Sequence, residues 1–156
     1  MKDIMVYDEA HYFGDATGET ISLGGVITEM TESSNPKETE KQYIHQKSSV
    51  TKTTGNANEF PITMDMVQGD EVSEDFYNLF YKRATGSELE RDHYIVNLWE
   101  SEGENEFKAR KIRQTVSITE ATGGAVEQKQ ISGSIKGGDF EYGTFNVSTK
   151  IFTPEV

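Results

Sequence analysis

Apolar and polar residues alternate along most of this chain, and the alternation predicts β-strands. Between positions 60 and 66 every second residue is apolar, as in a strand with one buried face: Phe60, Ile62, Met64 and Met66. Within Thr20–Met30 the pair Gly24-Gly25 shifts the alternation from odd to even positions, which indicates a bulge or bend. The same patterning predicts further strands over 50–54, 59–66, 93–99, 107–119, 127–136 and 140–153.

One segment has helical spacing instead. In Glu71–Arg83 an apolar stripe recurs every three to four residues: Val72, Phe76, Leu79 and Phe80. Acidic residues precede the stripe and Lys82 and Arg83 end it, and both placements suit the helix dipole. We therefore predict a single α-helix over 71–83.

The fold class predicted from these elements is mainly β. About seven or eight strands and one flanking helix are consistent with a β-sandwich or partly open barrel. Residues 1–17 are predicted to be an extended N-terminal arm with room for one short strand, and residues 18–156 a single domain. His93–Trp99 is apolar on both faces, which favours a central strand, and Gly137-Gly138-Asp139 predicts a tight hairpin.

A long polar run, Thr31–Thr54, interrupts the pattern after the first predicted strand. Its first part, 31–49, is predicted to be a long loop, and a loop of this length in a compact domain is usually functional or disordered. Tyr43, Ile44 and His45 stand in the middle of its charges. From the residues alone, two interpretations remain open: an interface with another chain, or a flexible surface loop with two incidental apolar residues.

The composition narrows the function classes. The chain has 156 residues, a net charge of −12 and no cysteine. The charge repels phosphates and anionic lipid, so tight DNA binding is not expected; it suits either simple solubility or a surface past which DNA must slide. Disulfides and thiolate chemistry are excluded. No secretion signal is expected at the N-terminus, and no membrane span.

No catalytic or metal-binding motif stands out. The three histidines, His11, His45 and His93, match no metal-ligand spacing, and HExxH, GxSxG and phosphate-loop patterns are absent. The acidic residues near 70–75 and 100–106 are typical of a helix N-terminus and a solvated loop. The basic residues at 108–113 are expected to form ion pairs with the acidic surface. We predict no enzyme, no cofactor and no metal.

Two stretches together resemble the tail tube proteins (major tail proteins) of long-tailed bacteriophages and prophages of Gram-positive bacteria. They are KETEKQYIHQKSSVTKTTGNANEFPITMDMVQGDEVSEDFYNLFYKRATG and QISGSIKGGDFEYGTFNVSTKIFTP. The ordered set comprises an EKQYI-type loop, a TTG followed by a strand, a helix, an RATG turn, and a closing GDxxxGTFN…FTP. It covers roughly residues 37–154.

The resemblance implies a structural virion protein whose six copies form a ring, with rings stacked into a hollow tail tube. In such proteins the loop after the first strand, here Ser33–Ser49, reaches the neighbouring ring. The interface residues implied are Lys37, Glu38, Glu40, Lys41, Tyr43, Ile44, His45 and Lys47. Tyr43 and Ile44 would be the apolar anchors of repeated ion pairs that are individually weak.

The resemblance also implies partners and a location. The lumen would carry DNA without binding it specifically, and Glu29, Asp65 and Glu141 are candidates to face it. The expected partners are further copies of the chain, a tape measure protein, and tail tip and terminator proteins. The expected location is the virion tail, with assembly in the host cytoplasm and no membrane association. Two alternatives are the inner tube of a contractile tail or a secretion-system-like ring, and a monomeric virion decoration or binding module.

Overall fold

The computed structural model describes residues 1–156 and contains eleven strands and one α-helix. The strands are β1 Glu9–Gly14, β2 Ile21–Leu23, β3 Ile27–Met30, β4 Pro36–Lys41, β5 Val50–Asn56, β6 Glu59–Asp65, β7 Glu90–Gly103, β8 Glu106–Thr122, β9 Gln130–Lys136, β10 Phe140–Asn146 and β11 Ile151–Pro154. The helix is α1 Glu71–Tyr81, and short 3-10 helices span Val6–Asp8 and Gly86–Leu89.

Nine of the strands form one antiparallel sheet in the order β2-β1-β7-β8-β9-β6-β3, with β10 and β11 added beside β8. β2 and β3 lie at opposite ends of this order, yet only Gly24–Val26 connects them. The sheet must therefore curl until its two ends approach each other, which confirms the mainly β, partly open barrel. β7 is central, as its two apolar faces predict.

The first predicted strand is two strands, because Gly24-Gly25 makes a turn and not a bulge. The Gly24 amide donates to the carbonyl oxygen of His11 at 2.8 Å, which ties the turn to β1. A Cβ at position 24 would lie 2.7 Å from Cδ1 of Ile27 and 3.0 Å from the Phe13 ring. A side chain at position 24 would therefore displace Ile27 and press on Phe13, and glycine avoids both contacts where the chain passes from β2 to β3.

The prediction of a tight hairpin at Gly137-Gly138-Asp139 is wrong. β9 and β10 both pair antiparallel with β8, so they run in the same direction along it. Residues 137–139 stand opposite two residues, Arg113 and Gln114, and therefore form a one-residue bulge within a nearly continuous strand. Beyond the bulge β10 pairs with β11, so the predicted strand 140–153 is also divided in two.

The core lies on the concave face of the curled sheet. Its buried residues come from five strands and from α1: Phe13, Phe60, Ile62, Met64, Val72, Phe76, Ile95, Val116, Ile131 and Ile135. Phe76 meets Phe13 edge to face, with 5.1 Å between ring centroids. The Asp70 carboxylate accepts from the Ser73 amide at 2.9 Å and caps the helix where the sequence predicts its start.

A second, smaller cluster packs on the opposite face of the sheet, around Phe145 and Tyr12. Tyr12 and Phe13 belong to β1, so part of the predicted N-terminal arm, 1–17, is a paired strand whose aromatic side chains are buried. Only residues 1–5 at the start of that range have no regular structure. The side chain of Ile4 there is exposed.

Candidate assembly surfaces

The polar run predicted as a loop is largely a β-hairpin that projects from the sheet. β4 and β5 pair with each other and with no other strand. We call residues 36–56 the arm. At its base Ser33 and Glu59 exchange two backbone hydrogen bonds of 2.9 Å, which continue the β3–β6 ladder outward. A strand of β4's length spans roughly 20 Å, so the arm carries its tip well away from the sheet.

An ion pair anchors the chain just before the arm. The guanidinium of Arg110 on β8 donates to both carboxylate oxygens of Glu32 at 2.8 Å, and it stacks over the Phe140 ring at 4.6 Å. These hydrogen bonds to Glu32 raise the pKa of Arg110. Bidentate pairing fixes direction as well as distance, so this contact sets the angle at which the arm leaves the sheet.

The tip of the arm is a tight turn with two uncovered apolar side chains. The Gln46 side chain accepts from the Tyr43 amide at 3.2 Å, and the Gln46 amide donates to the Tyr43 carbonyl at 2.9 Å. The Tyr43 side chain is half exposed and that of Ile44 is completely exposed. The turn is therefore ordered by its own hydrogen bonds. Tyr43 stacks loosely on His45, with 6.4 Å between ring centroids, whereas Ile44 is exposed on all sides.

The arm differs in charge from the rest of the chain. It has four lysines and two glutamates, which give it a formal charge of +2. Since the net charge of the chain is −12, the residues outside the arm together carry −14. All six ion pairs of the structure lie outside it. Register places Lys41 and Lys52 on one face and Glu38 and Glu40 on the other.

All eight residues predicted for the interface therefore lie on the arm. β4 holds Lys37, Glu38, Glu40 and Lys41, and the connection to β5 holds Tyr43, Ile44, His45 and Lys47. The role of these residues remains a prediction.

An apolar groove of about 830 Å³ opens near the arm's base. The N-terminal segment 4–7, the turn between β2 and β3, and a bulge in β7 form its walls. In the bulge the β7–β8 pairing shifts by three residues between Val96 and Ser101, which turns Leu98 and Trp99 outward. The lining contains three glutamates, Glu9, Glu29 and Glu32, and no lysine or arginine.

A hydroxyl-rich face covers the convex side of β3, β6, β9 and the end of β8. Cross-strand register puts Thr63, Ser132 and Glu120 side by side on it. We call this the hydroxyl face. Of the three acids predicted to face a lumen, Glu29 and Asp65 lie on it, because Glu29 pairs with Thr63 and Asp65 is two residues further along β6.

Glu141 lies elsewhere. It lies on β10 and pairs with Lys111 on β8, which in turn pairs with Tyr94 on β7, away from the hydroxyl face. Burial, together with the nearby carboxylates of Asp92 and Glu141, raises the pKa of Tyr94 to about 12. The three predicted acids are thus divided between two surfaces.

Comparison with solved structures identifies the fold. The chain is similar to a subunit of the SPP1 tail tube, solved by solid-state NMR and cryo-EM, with a TM-score of 0.64 and 16% identity over 88% of this chain and 80% of that chain. The chain has a tail tube fold. No protein-family model matches it, and no curated protein sequence does.

Two further structures are similar to this chain in fold. One is the tail of an empty GTA particle with C6 symmetry, with a TM-score of 0.60 and 10% identity over 90% of this chain and 98% of that chain. The other is the six-fold symmetrised baseplate of the anti-feeding prophage (AFP), with a TM-score of 0.55 and 5% identity over 91% and 96%.

The basic residues at 108–113 lie on β8. The basic cluster at 108–113 forms ion pairs as predicted: Lys108 with Glu100 at 3.6 Å, Arg110 with Glu32 at 2.8 Å and Arg113 with Asp92 at 3.2 Å. No group of three or more histidine or acidic side chains is placed to hold a metal ion. No helix combines the length and apolarity of a membrane span.

Sequence patterning missed two features of this tail tube fold. The groove brings together residues from distant segments, among them Ile4, Leu23 and Trp99, and no local pattern connects them. The second feature is Lys52, which belongs to the basic face of the arm because it pairs with Thr39 on β4. The surplus of lysine within 36–56 was the available signal.

Proposed function

We propose that this chain is the subunit of a virion tail tube. Six copies form a ring, rings stack into a hollow tube, and the tube conducts DNA at ejection without an enzymatic step. The observation that carries the proposal is the arm: a two-stranded hairpin with an exposed apolar tip, projecting from a fold that is shared with the SPP1 tail tube and with the C6-symmetric GTA tail. Exposed apolar residues at the end of an ordered projection favour contact with another chain.

The hydroxyl face supports a lumen in this proposal. Serine and threonine dominate it, and Glu29, Asp65 and Glu120 add negative charge. Such a surface repels phosphates, and Lys136, at the end of β9, is paired with the Glu59 carboxylate at 3.7 Å. We assign Asp65 and Glu120 to the lumen, with Glu29 at the border of this face, and we do not extend the assignment to Glu141.

Partners and location follow from the same role. Within a tail, the tube would surround a tape measure protein and would end against tip and terminator proteins. Assembly would take place in the host cytoplasm and the product would be the virion tail.

A deletion tests the stacking role. Because β4 and β5 pair only with each other, removal of residues 37–47 should leave the main sheet folded, with an unchanged melting temperature. Electron microscopy of the concentrated variant should show single rings or monomers where the parent chain forms tubes. Tubes of unchanged length and abundance would contradict the role of the arm.

A second candidate is a ring component of a baseplate-like assembly or of the inner tube of a contractile tail, and the likeness to the AFP baseplate favours it. Particle length separates the two roles. A tube subunit elongates without limit as its concentration rises, whereas a ring component stops at a fixed number of layers. A stable monomer at high concentration, with no assembly on added tail tip complex, would contradict both roles and favour a monomeric binding module.

A further inference from the structure

We propose that the apolar groove is the receptor for the arm tip of a second copy of this chain. The inference rests on the proposed function, because it names the surface that each arm contacts. The occupant is the turn carrying Tyr43 and Ile44, and the receptor is the groove between the N-terminal segment and the β7 bulge.

The geometry requires that the two parts come from different copies. The groove includes Met30 and Glu32, which immediately precede the arm. The arm leaves that place as a paired hairpin and carries its tip roughly 20 Å away. The hydrogen bonds from Arg110 to Glu32 fix the direction in which the arm leaves the sheet. A tip held at this distance from its own groove can enter only the groove of a neighbour.

Both the groove and the arm tip expose apolar side chains. The groove exposes Tyr7, Leu23 and Trp99, each at least 40% accessible in the single chain. The tip offers a half-exposed aromatic ring, that of Tyr43, and the completely exposed branched aliphatic chain of Ile44. Tryptophan and tyrosine are enriched among the residues that contribute most binding energy at protein interfaces, and such residues cluster in well-packed pockets. The groove volume of about 830 Å³ lies within the ~300–1,000 Å³ typical of sites that enclose a ligand.

The charges of the tip and the groove are opposite in sign. Lys41 and Lys47 flank the tip and have no ion-pair partner in their own chain. The groove contributes Glu9, Glu29 and Glu32 and no lysine or arginine. Glu9 is bonded to His11 and Glu32 to Arg110, so Glu29, at the border of the hydroxyl face, is the free carboxylate for an incoming lysine. Rim charges of this kind mainly set orientation and association rate.

Cysteine cross-linking tests the contact directly, since the chain has no cysteine of its own. One preparation carries Ile44→Cys in the tip and another carries Leu98→Cys in the groove. The two are mixed under assembly conditions and mildly oxidised. We expect a disulfide between positions 44 and 98 of different copies, identified by non-reducing electrophoresis and mass spectrometry, in most of the assembled material.

The matched control pairs Ile44→Cys with Val126→Cys. Val126 is a completely exposed apolar residue in the turn between β8 and β9, away from the groove. This pair should give at least tenfold less cross-link. Equal yields from the two pairs would overturn the proposal, because they would indicate random collision.

Microscopy of the same mixtures separates failure of the inference from failure of the proposed function. Rings or tubes that lack the 44–98 disulfide would leave the tube role standing and overturn the groove as receptor. If no assembly and no 44–98 product form at any concentration, with or without tail tip complex, both proposals are wrong.

Discussion

His93 is completely buried in the core, and its Nε2 lies 2.9 Å from Nδ1 of His11. The Gln114 side-chain amide donates to the Gly137 carbonyl at 3.1 Å, so its oxygen faces His93 Nδ1 at 2.9 Å and accepts from it. His93 Nε2 therefore accepts the hydrogen of His11. This chain of hydrogen bonds leaves a buried imidazole satisfied only while it is neutral.

Stability should consequently fall on mild acidification. Burial, followed by the nearby positive charges of His11 and Arg110, holds the pKa of His93 well below its usual value. The unfolded chain takes up this proton near pH 6.5 while the folded chain does not, so the stabilisation is complete above that pH and is lost as pH falls below it. Thermal melting between pH 8 and 5 should show a loss approaching ~1.4 kcal/mol per pH unit below about 6.5.

Two variants check the origin of this slope. His93→Asn should be less stable at every pH but should lose the component of the slope between pH 6.5 and 5. His45→Ala removes the exposed histidine of the arm and should leave the slope unchanged. An unaltered slope in His93→Asn would show that another group titrates.

In the bulge between β9 and β10, a side chain should destabilise the protein much more at Gly138 than at Gly137. Both Gly137 and Gly138 have positive φ, of 89° and 83°. A Cβ at 138 would lie 2.2 Å from the Arg113 carbonyl oxygen, whereas one at 137 meets nothing within 4 Å. Chemical denaturation should show a loss of about 1 kcal/mol for Gly137→Ala, the backbone cost alone, and at least about 3 kcal/mol for Gly138→Ala. Equal losses would mean that the bulge relaxes away from β8.

The pair Arg91–Asp75 should contribute substantially to the contact between β7 and α1. Arg91 is buried, and its guanidinium donates to both carboxylate oxygens of Asp75, at 2.8 and 3.1 Å. Asp75→Ala leaves that cation without its partner and should cost roughly 3 kcal/mol, the lower end for such pairs because the carboxylate is about one third exposed. Lys108→Gln breaks a pair with Glu100 in which both side chains are largely exposed and should cost under about 1 kcal/mol. Urea midpoints compare the two.

Charge reversal at the arm should weaken assembly. Lys41→Glu with Lys47→Glu places negative charge near Glu29, the free carboxylate of the groove, and should raise the concentration needed for tubes by about fivefold, because an exposed charge pair is worth up to about 1 kcal/mol. Adding Glu29→Lys should recover part of this loss. Lys82→Glu with Lys150→Glu changes the net charge equally at exposed residues with no ion pair, and sedimentation should find its assembly close to that of the parent. An equal loss in this control would assign the effect to net charge alone.

How far the sequence predicts this structure depends on what each segment packs against. β6 and α1 each bury one face, so apolar residues recur in the sequence at the spacing of a strand and of a helix. Asp70 also marks the start of the helix. β4 buries no face; every residue of Pro36–Lys41 is exposed and no alternation could reveal it. Gly137-Gly138 carries the signal of a hairpin, and only the length of β8 makes it a bulge instead. The groove follows from tertiary contacts alone.

The arm tip and the groove are different patches of the same molecule, so an interface between them is head-to-tail and does not close on itself between two copies. In a tube built on the proposed contact, successive layers would add in one orientation and the two ends of the polymer would be unlike. One end would present unfilled grooves and the other would present free arms. A protein that initiates growth and a protein that stops it must then offer opposite shapes, one an apolar knob with lysines and the other an apolar cleft with carboxylates.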